Sequence, residues 1–286
     1  QRYGNGIIVK PNKKKLELEY HAASPSIRVD MRNELPDLPD PFYLTGPMKK
    51  INSVVEDCTA ALDSYSRFLG RKGNPKSTEA LALLPKELME LVPAVKKLKD
   101  EFESITKNGP GMIAVEDIFK PFGEDTPLKI NKKESRTLSN LIENSGFGMA
   151  PDMEYHNIKP TPEGSVAIFP KGHGVDFRPS KEFRTVGIIL RLGAIVSQID
   201  EDLSPAEEDT LKSLISNNRK LTQIEKDSLF AFLHWCIRTP QKVTGLKQRL
   251  AEVGKEKKEA ISRILISVAH ADGYIDPREI KQLEKL

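Results

Sequence analysis

The chain has 286 residues, of which 38% are hydrophobic, 30% charged and 6% aromatic. It is too apolar for a disordered chain and suits soluble, helix-rich domains, one large or two ordinary. A formal net charge of +3 is a mild excess, short of the dense basic face of a dedicated DNA-binding domain.

No apolar stretch approaches the roughly 20 residues that span a bilayer, and no leader pattern opens the chain, so a cytoplasmic protein is expected. Cys58 and Cys236 are too far apart in sequence for a CxxC metal pair; both are expected to be small core residues on apolar helical faces. The chain starts at Gln1 and stops at Leu286 inside a helical pattern, and is read as a piece of a longer protein.

Taken in order, residues 1–45 read as extended. Ile7-Ile8-Val9 and the alternating Leu16, Leu18 and Tyr20 predict two strands, joined at Pro11-Asn12 into a hairpin. Lys13, Lys14 and Lys15 form one tight basic run. From residue 48, apolar residues recur every three or four positions. They predict helices at 48–70, 78–84, 85–92, 94–106, 113–120 and 132–145, with Gly146 closing the last. Residues 146–180 are rich in glycine and proline, with one strand at Val166-Ala167-Ile168-Phe169. Beyond 180 the pattern predicts helices 181–199, 205–216, 223–238, 241–252, 256–271 and 277–286. Ser204/Glu207, Thr222/Glu225 and Asp276/Glu279 have capping-box form. Three regions are expected: 1–110, 111–180 and 181–286.

One feature of the last region repeats. Ala194–Leu214 aligns with Ile266–Leu286 at an offset of 72. Asp200 falls on Asp272, Ser204 on Asp276, Pro205 on Pro277, Glu207 on Glu279 and Leu211 on Leu283. Each copy is an apolar helix, an acidic turn and a second helix, so the pair predicts a bundle with pseudo-two-fold symmetry. Capping explains Ser204, Asp276, Glu207 and Glu279. It does not explain Asp200 and Asp272, which stand where the helix macrodipole disfavours an anion. A divalent cation, a lysine such as Lys281 or a turn N–H would answer that need. Calcium or magnesium would suit all-oxygen ligands. A self-contained EF-hand is not expected, because Val268 and His270 stand where its first two acidic ligands would be.

Ala271-Asp272-Gly273-Tyr274-Ile275-Asp276-Pro277-Arg278-Glu279 resembles the A-D-G-x-[IV]-x-x-x-E signature of TerB-like domains of bacterial tellurite-resistance proteins. The resemblance implies an all-helical fold with two acidic turns and proposed metal ligands, falling here on Asp200, Glu207, Asp272, Asp276 and Glu279. Glu201 stands where glycine is usual in the first turn, and Asp202 could substitute there. Tyr3-Gly4-Asn5-Gly6, Lys10-Pro11-Asn12, Ala23-Ser24-Pro25 and Asp63-Ser64-Tyr65-Ser66-Arg67-Phe68-Leu69-Gly70 resemble the later part of the TerB N-terminal domain. The family implies stress response, including tellurite resistance and phage defence.

The expected fold is therefore mainly α: a TerB-like bundle at 181–286, truncated at its C-terminus, after a mostly helical N-terminal domain with a short β-hairpin. No phosphate loop, nucleophile elbow or H-E-x-x-H is present. His173, between Gly172 and Gly174, reads as a loop residue, and Phe183, Phe230, Phe232 and Trp235 read as core. Gly146-Phe147-Gly148-Met149-Ala150 reads as a helix cap and loop. The function expected is a non-catalytic metal- or ligand-binding interaction module with protein partners in a larger assembly. The alternative is a nucleic-acid-binding accessory protein. In it, residues 113–169 form a winged-helix-like reader and Lys129, Lys132, Lys133 and Arg136 meet phosphate, although helix 132–145 lacks a clear base-reading face.

Overall fold

The computed structural model describes residues 3–9, 16–22, 24, 26, 30–35, 44–72, 74–174, 176–197, 204–241 and 255–270. The chain divides into two compact units, Gln1–Ser66 and Arg67–Leu286. The first holds β1 (Leu16–His21), β2 (Asp30–Leu35) and most of the long helix α1 (Thr45–Lys72).

β1 and β2 form an antiparallel hairpin in which Glu19 faces Arg32, and their side chains meet at 2.9 Å. The expected partner of β1 was Ile7–Val9. Those residues form no strand, and Ile8 is largely exposed. The charge-rich Asp30–Leu35 takes the place because its cation answers Glu19 across the ladder. The expected turn at Pro11-Asn12 and the run Lys13–Lys15 lie outside the described residues. Cys58 is exposed, contrary to expectation, because residues 55–60 of α1 all face solvent.

The second unit opens with short helices α2 (Thr78–Leu81) and α3 (Lys86–Met89), then α4 (Pro93–Ile105). Pro93 starts α4 at a position where a missing N–H costs nothing, and Val95, Leu98 and Phe102 form its buried stripe. β3 (Gly111–Ala114), α5 (Val115–Phe119), α6 (Lys132–Asn144), β4 (Phe147–Ala150) and β5 (Ser165–Pro170) follow. β5 lies between β3 and β4, antiparallel to both. Helix, strand, helix, helix, strand, loop and central strand in that order make a winged helix, with α6 in the outward-facing position and residues 151–164 as the wing. Of its three strands, only β5 was expected. β4, the segment read as a cap, is buried at all four positions, and β3 alternates buried with half-buried positions over only four residues with no polar side chain, so neither shows an apolar/polar alternation in the sequence.

α6 starts at a capping box. Asn131 Oδ1 accepts the Lys133 and Glu134 amides at 2.7 and 3.4 Å, and Glu134 Oε2 accepts the Asn131 amide at 3.1 Å. Its apolar side, Leu138, Leu141 and Ile142, is buried. Gly146, at φ +90°, turns the chain into β4.

Among the described residues, four helices complete the unit: α7 (Lys181–Ser197), α8 (Pro205–Ser216), α9 (Gln223–Arg238) and α10 (Lys255–Ala269). They pack as a bundle around Leu190, Leu211, Ile215, Leu229, Leu233 and Val268. α7 and α10 end at Ser197 and Ala269, 72 positions apart, and they pack on each other. The expected helices 241–252 and 277–286 lie outside the described residues, apart from Gln241. α9 also packs against the sheet, and Trp235 Nε1 donates to the Ser165 carbonyl at 2.8 Å. Phe183 and Phe232 are buried, while Phe230 and Trp235 pack against the core half-buried. The architecture is mainly α with a small N-terminal hairpin.

α7 crosses α8 closely at Gly193, where an added Cβ would lie 3.3 Å from Leu211 Cδ1 and closer still to Cδ2. Leu211 is fully buried and has nowhere to go. Gly193→Ala gains roughly 1 kcal/mol of helix propensity, but overpacking should cost about 1–3 kcal/mol. Urea unfolding should therefore show a net loss; a gain would mean the crossing relaxes freely.

Candidate functional site

Of the six residues expected to hold a cation, Glu207 alone falls among the described residues. It is buried at 5% exposure in the box that opens α8. Its Oε2 accepts the Ser204 amide at 2.8 Å, and Ser204 Oγ accepts the Glu207 amide at 3.2 Å. A metal would have to share that carboxylate. Asp200, Asp202, Asp272, Asp276 and Glu279 lie outside the described residues. Among the described residues, no group of three or more His, Cys, Asp or Glu could hold a metal ion. No helix there is long and apolar enough to cross a membrane.

The described residues do assemble a buried polar chain that sequence reasoning missed. Pro170-Lys171-Gly172-His173 turns at the end of β5, with Lys171 at φ +70° and Gly172 at +64°. Glycine is needed at 172: a Cβ there would overlap the Glu143 carboxylate and lie 2.9 Å from the Phe147 carbonyl. The turn aims the His173 amide at Glu143 Oε1 and Oε2, at 2.8 and 3.1 Å, and the Gly174 amide at Oε2, at 3.3 Å. His173 Nδ1 lies 2.7 Å from Glu143 Oε1, and its Nε2 lies 2.8 Å from Ser228 Oγ on α9. A carboxylate only accepts. In the neutral ring Nδ1 therefore carries the proton, and Nε2 accepts the Ser228 hydroxyl. Tyr155, Phe169 and Phe177 enclose the ring at 4.3, 5.0 and 4.8 Å.

Serine, histidine and glutamate in this order match a nucleophile, its base and the base's orienting acid. Ser228, however, is 0% exposed and His173 2%, so no substrate reaches the hydroxyl. The chain acts as a positioning device joining α6, the β5 turn and α9. The available signal in the sequence was a histidine between two glycines directly after a buried strand.

Two further networks fix the same region. Asp152, 2% exposed, accepts the Glu154 and Tyr155 amides at 2.6 and 3.2 Å and the Ser139 hydroxyl of α6. His156 Nδ1 accepts the Asp152 amide at 3.0 Å, and its ring stacks on Phe232 of α9 at 4.3 Å. The wing is thereby pinned to both α6 and the bundle. Burial and the nearby Asp152, Glu143 and Glu154 carboxylates push the Tyr155 hydroxyl up to about 12. On α9, Glu225 Oε1 accepts the Ser180 amide at 2.8 Å and Oε2 the Thr222 amide at 2.9 Å. Burial pushes this carboxyl up, but the donors from Thr222 and Ser180 outweigh it and hold it below the ordinary range.

A cleft of about 370 Å³ lies between the end of β5 and helices α8 and α9. Phe169, Phe230, Leu233 and Ile237 are among its apolar lining residues, with Lys171 and His234 among the polar ones. Burial, then Arg238, lowers the His234 pKa; Arg238 Nη1 donates to its Nδ1 at 3.0 Å.

The family model described as "Tellurite resistance protein TerB" matches residues 188–286, from within α7 through α8, α9 and α10. The chain thus carries a TerB-like domain there. The match leaves residues 1–187 uncovered. No curated protein matches the chain, and no solved structure does.

Glu143→Ala would strip the acceptor from two amides and a buried imidazole N–H. Its expected cost is about 2–4 kcal/mol in urea unfolding, with a smaller loss for Glu143→Gln, which retains an accepting oxygen. Equal losses in the two variants would deny the acceptor role. Glu225 yields a pH signature. Its folded pKa lies below the ordinary 4.5, so its contribution is complete above that pH and declines as pH falls through 4.5 toward the folded value. The stability gap between the protein and Glu225→Gln should therefore narrow on acidification, and a gap constant from neutral pH to about pH 3 would refute the assignment.

Proposed function

We propose that this chain is a non-catalytic metal- or ligand-binding interaction module of a bacterial stress-response protein, of the tellurite-resistance or phage-defence kind. It acts in the cytoplasm with protein partners in a larger assembly, and its N-terminal region serves as part of a TerB N-terminal-type domain. The TerB match over residues 188–286 carries the reading, and the acidic turn that the sequence repeats at Asp200 and Asp272 supports it. Helix capping accounts for Ser204 and Glu207, so the metal-binding role rests chiefly on the two aspartates. Calcium or magnesium is the ion expected of such oxygen ligands. The cleft beside His234 offers an apolar-floored place for a small ligand. The burial of Ser228 favours a non-catalytic role for the polar chain.

Calorimetric titration of calcium, magnesium and manganese into the protein and into Asp200→Ala/Asp272→Ala tests the metal. At about one hundred times the dissociation constant, a bound ion adds about 2.7 kcal/mol of stability. For a chain of this size that is a melting rise of several degrees, which the double variant should lack. No heat of binding and a melting shift below about 1 °C at millimolar ion would remove the metal from the proposal.

A further inference from the structure

We propose that the exposed N-terminal half of α6 is a docking surface for double-stranded DNA, held through its phosphates. Lys132, Lys133, Arg136 and Asn140 are exposed. At 100° per residue they fall within an arc of about 100°, opposite the buried Leu138, Leu141 and Ile142. Lys129, just before the helix, is exposed as well. The topology places α6 where the second helix of a helix-turn-helix stands, and it is the N-terminal residues of that helix that meet the duplex.

Carboxylates already occupy part of the face. Lys133 Nζ meets Glu79 Oε1 at 2.5 Å, and Arg136 Nη2 lies 3.8 Å from Glu154 Oε2 in the wing. Both cations therefore sit with single anions at the surface, as they would with phosphates. Exposed pairs of this kind contribute little and exchange readily for a polyanion that releases counterions. Among the described residues, Lys129 and Lys132 make no such pair.

The occupant is duplex DNA on geometric grounds. A lone helix with cations on its outer face fits a major groove about 12 Å wide, whereas the deep, narrow major groove of duplex RNA admits no side chains. Asn140 is the one neutral polar side chain on the stripe, so binding should depend little on sequence. The wing is pinned to α6 through Asp152 and Ser139 and to α9 through His156 and Phe232; its Glu154 faces Arg136, so the proposed contact is the helix.

Fluorescence anisotropy with a labelled duplex of about 25 base pairs, at about 50 and 200 mM salt, tests this on the full chain. Three to four phosphate contacts predict that affinity falls about 40- to 150-fold between those salts. Lys132→Glu/Arg136→Glu should weaken binding at least tenfold and flatten the salt slope by about 2. Glu79→Gln/Glu154→Gln, which frees Lys133 and Arg136, should tighten it; this gain cannot arise from misfolding. Three results would overturn the proposal. They are no binding at the lower salt, tighter binding to single strands or duplex RNA than to duplex DNA, and binding abolished by Lys13→Glu/Lys14→Glu/Lys15→Glu but untouched by the α6 variant.

Discussion

Glu143 sits at the last turn of α6 with its carboxylate turned toward the end of β5, where two amides and an imidazole donate to it. A buried histidine tolerates that position only if both ring nitrogens are satisfied, and the second finds Ser228. Three elements far apart in sequence must therefore hold their places together. If α6 slides along its axis, the nest of amides empties. If α9 rotates, Nε2 loses its hydroxyl inside an aromatic enclosure where no water replaces it. Such networks specify one arrangement more sharply than apolar contact does, because a half-satisfied network costs more than none.

The consequence reaches the surface. With the C-terminal half of α6 committed to the turn and to Asp152, its N-terminal half is left pointing outward, and the lysines and arginine there face solvent. The same anchoring ties the winged-helix part to the TerB-like helices. Glu225 ties Ser180, which caps the start of α7, to the first turn of α9, and Trp235 ties α9 to β5.

What the sequence revealed and what it hid divide along the distance over which each element is determined. α9 was read as 223–238 and forms over Gln223–Arg238, because a capping box and a periodic apolar face are local information. α8 was legible for the same reason. β3 and β4 are defined by β5, and the wing and α5–α6 separate them from it. Gly111-Met112-Ile113-Ala114 carries no turn signal or alternation of its own. β2 was hidden by its charges, since Asp-Met-Arg-Asn-Glu-Leu looks like loop until Arg32 faces Glu19. The polar chain was hidden most deeply. Glu143, His173 and Ser228 share no motif, and only the fold brings them together.

The TerB-like domain depends on local chemistry of another kind. Its helix starts are closed by their own side chains, Ser204 with Glu207 and Thr222 with Glu225, so these glutamates would appear in the sequence whether or not the domain bound anything. Capping satisfies amides at a helix N-terminus, where the macrodipole welcomes an anion. Asp200 and Asp272 lie outside the described residues; in the sequence both stand at the expected C-terminal end of an apolar helix, where the dipole would oppose an anion. A carboxylate placed there twice, at equivalent points of a repeat, would require compensation that capping does not supply. That asymmetry is why the two aspartates, and not the more numerous glutamates, bear the weight of the metal proposal.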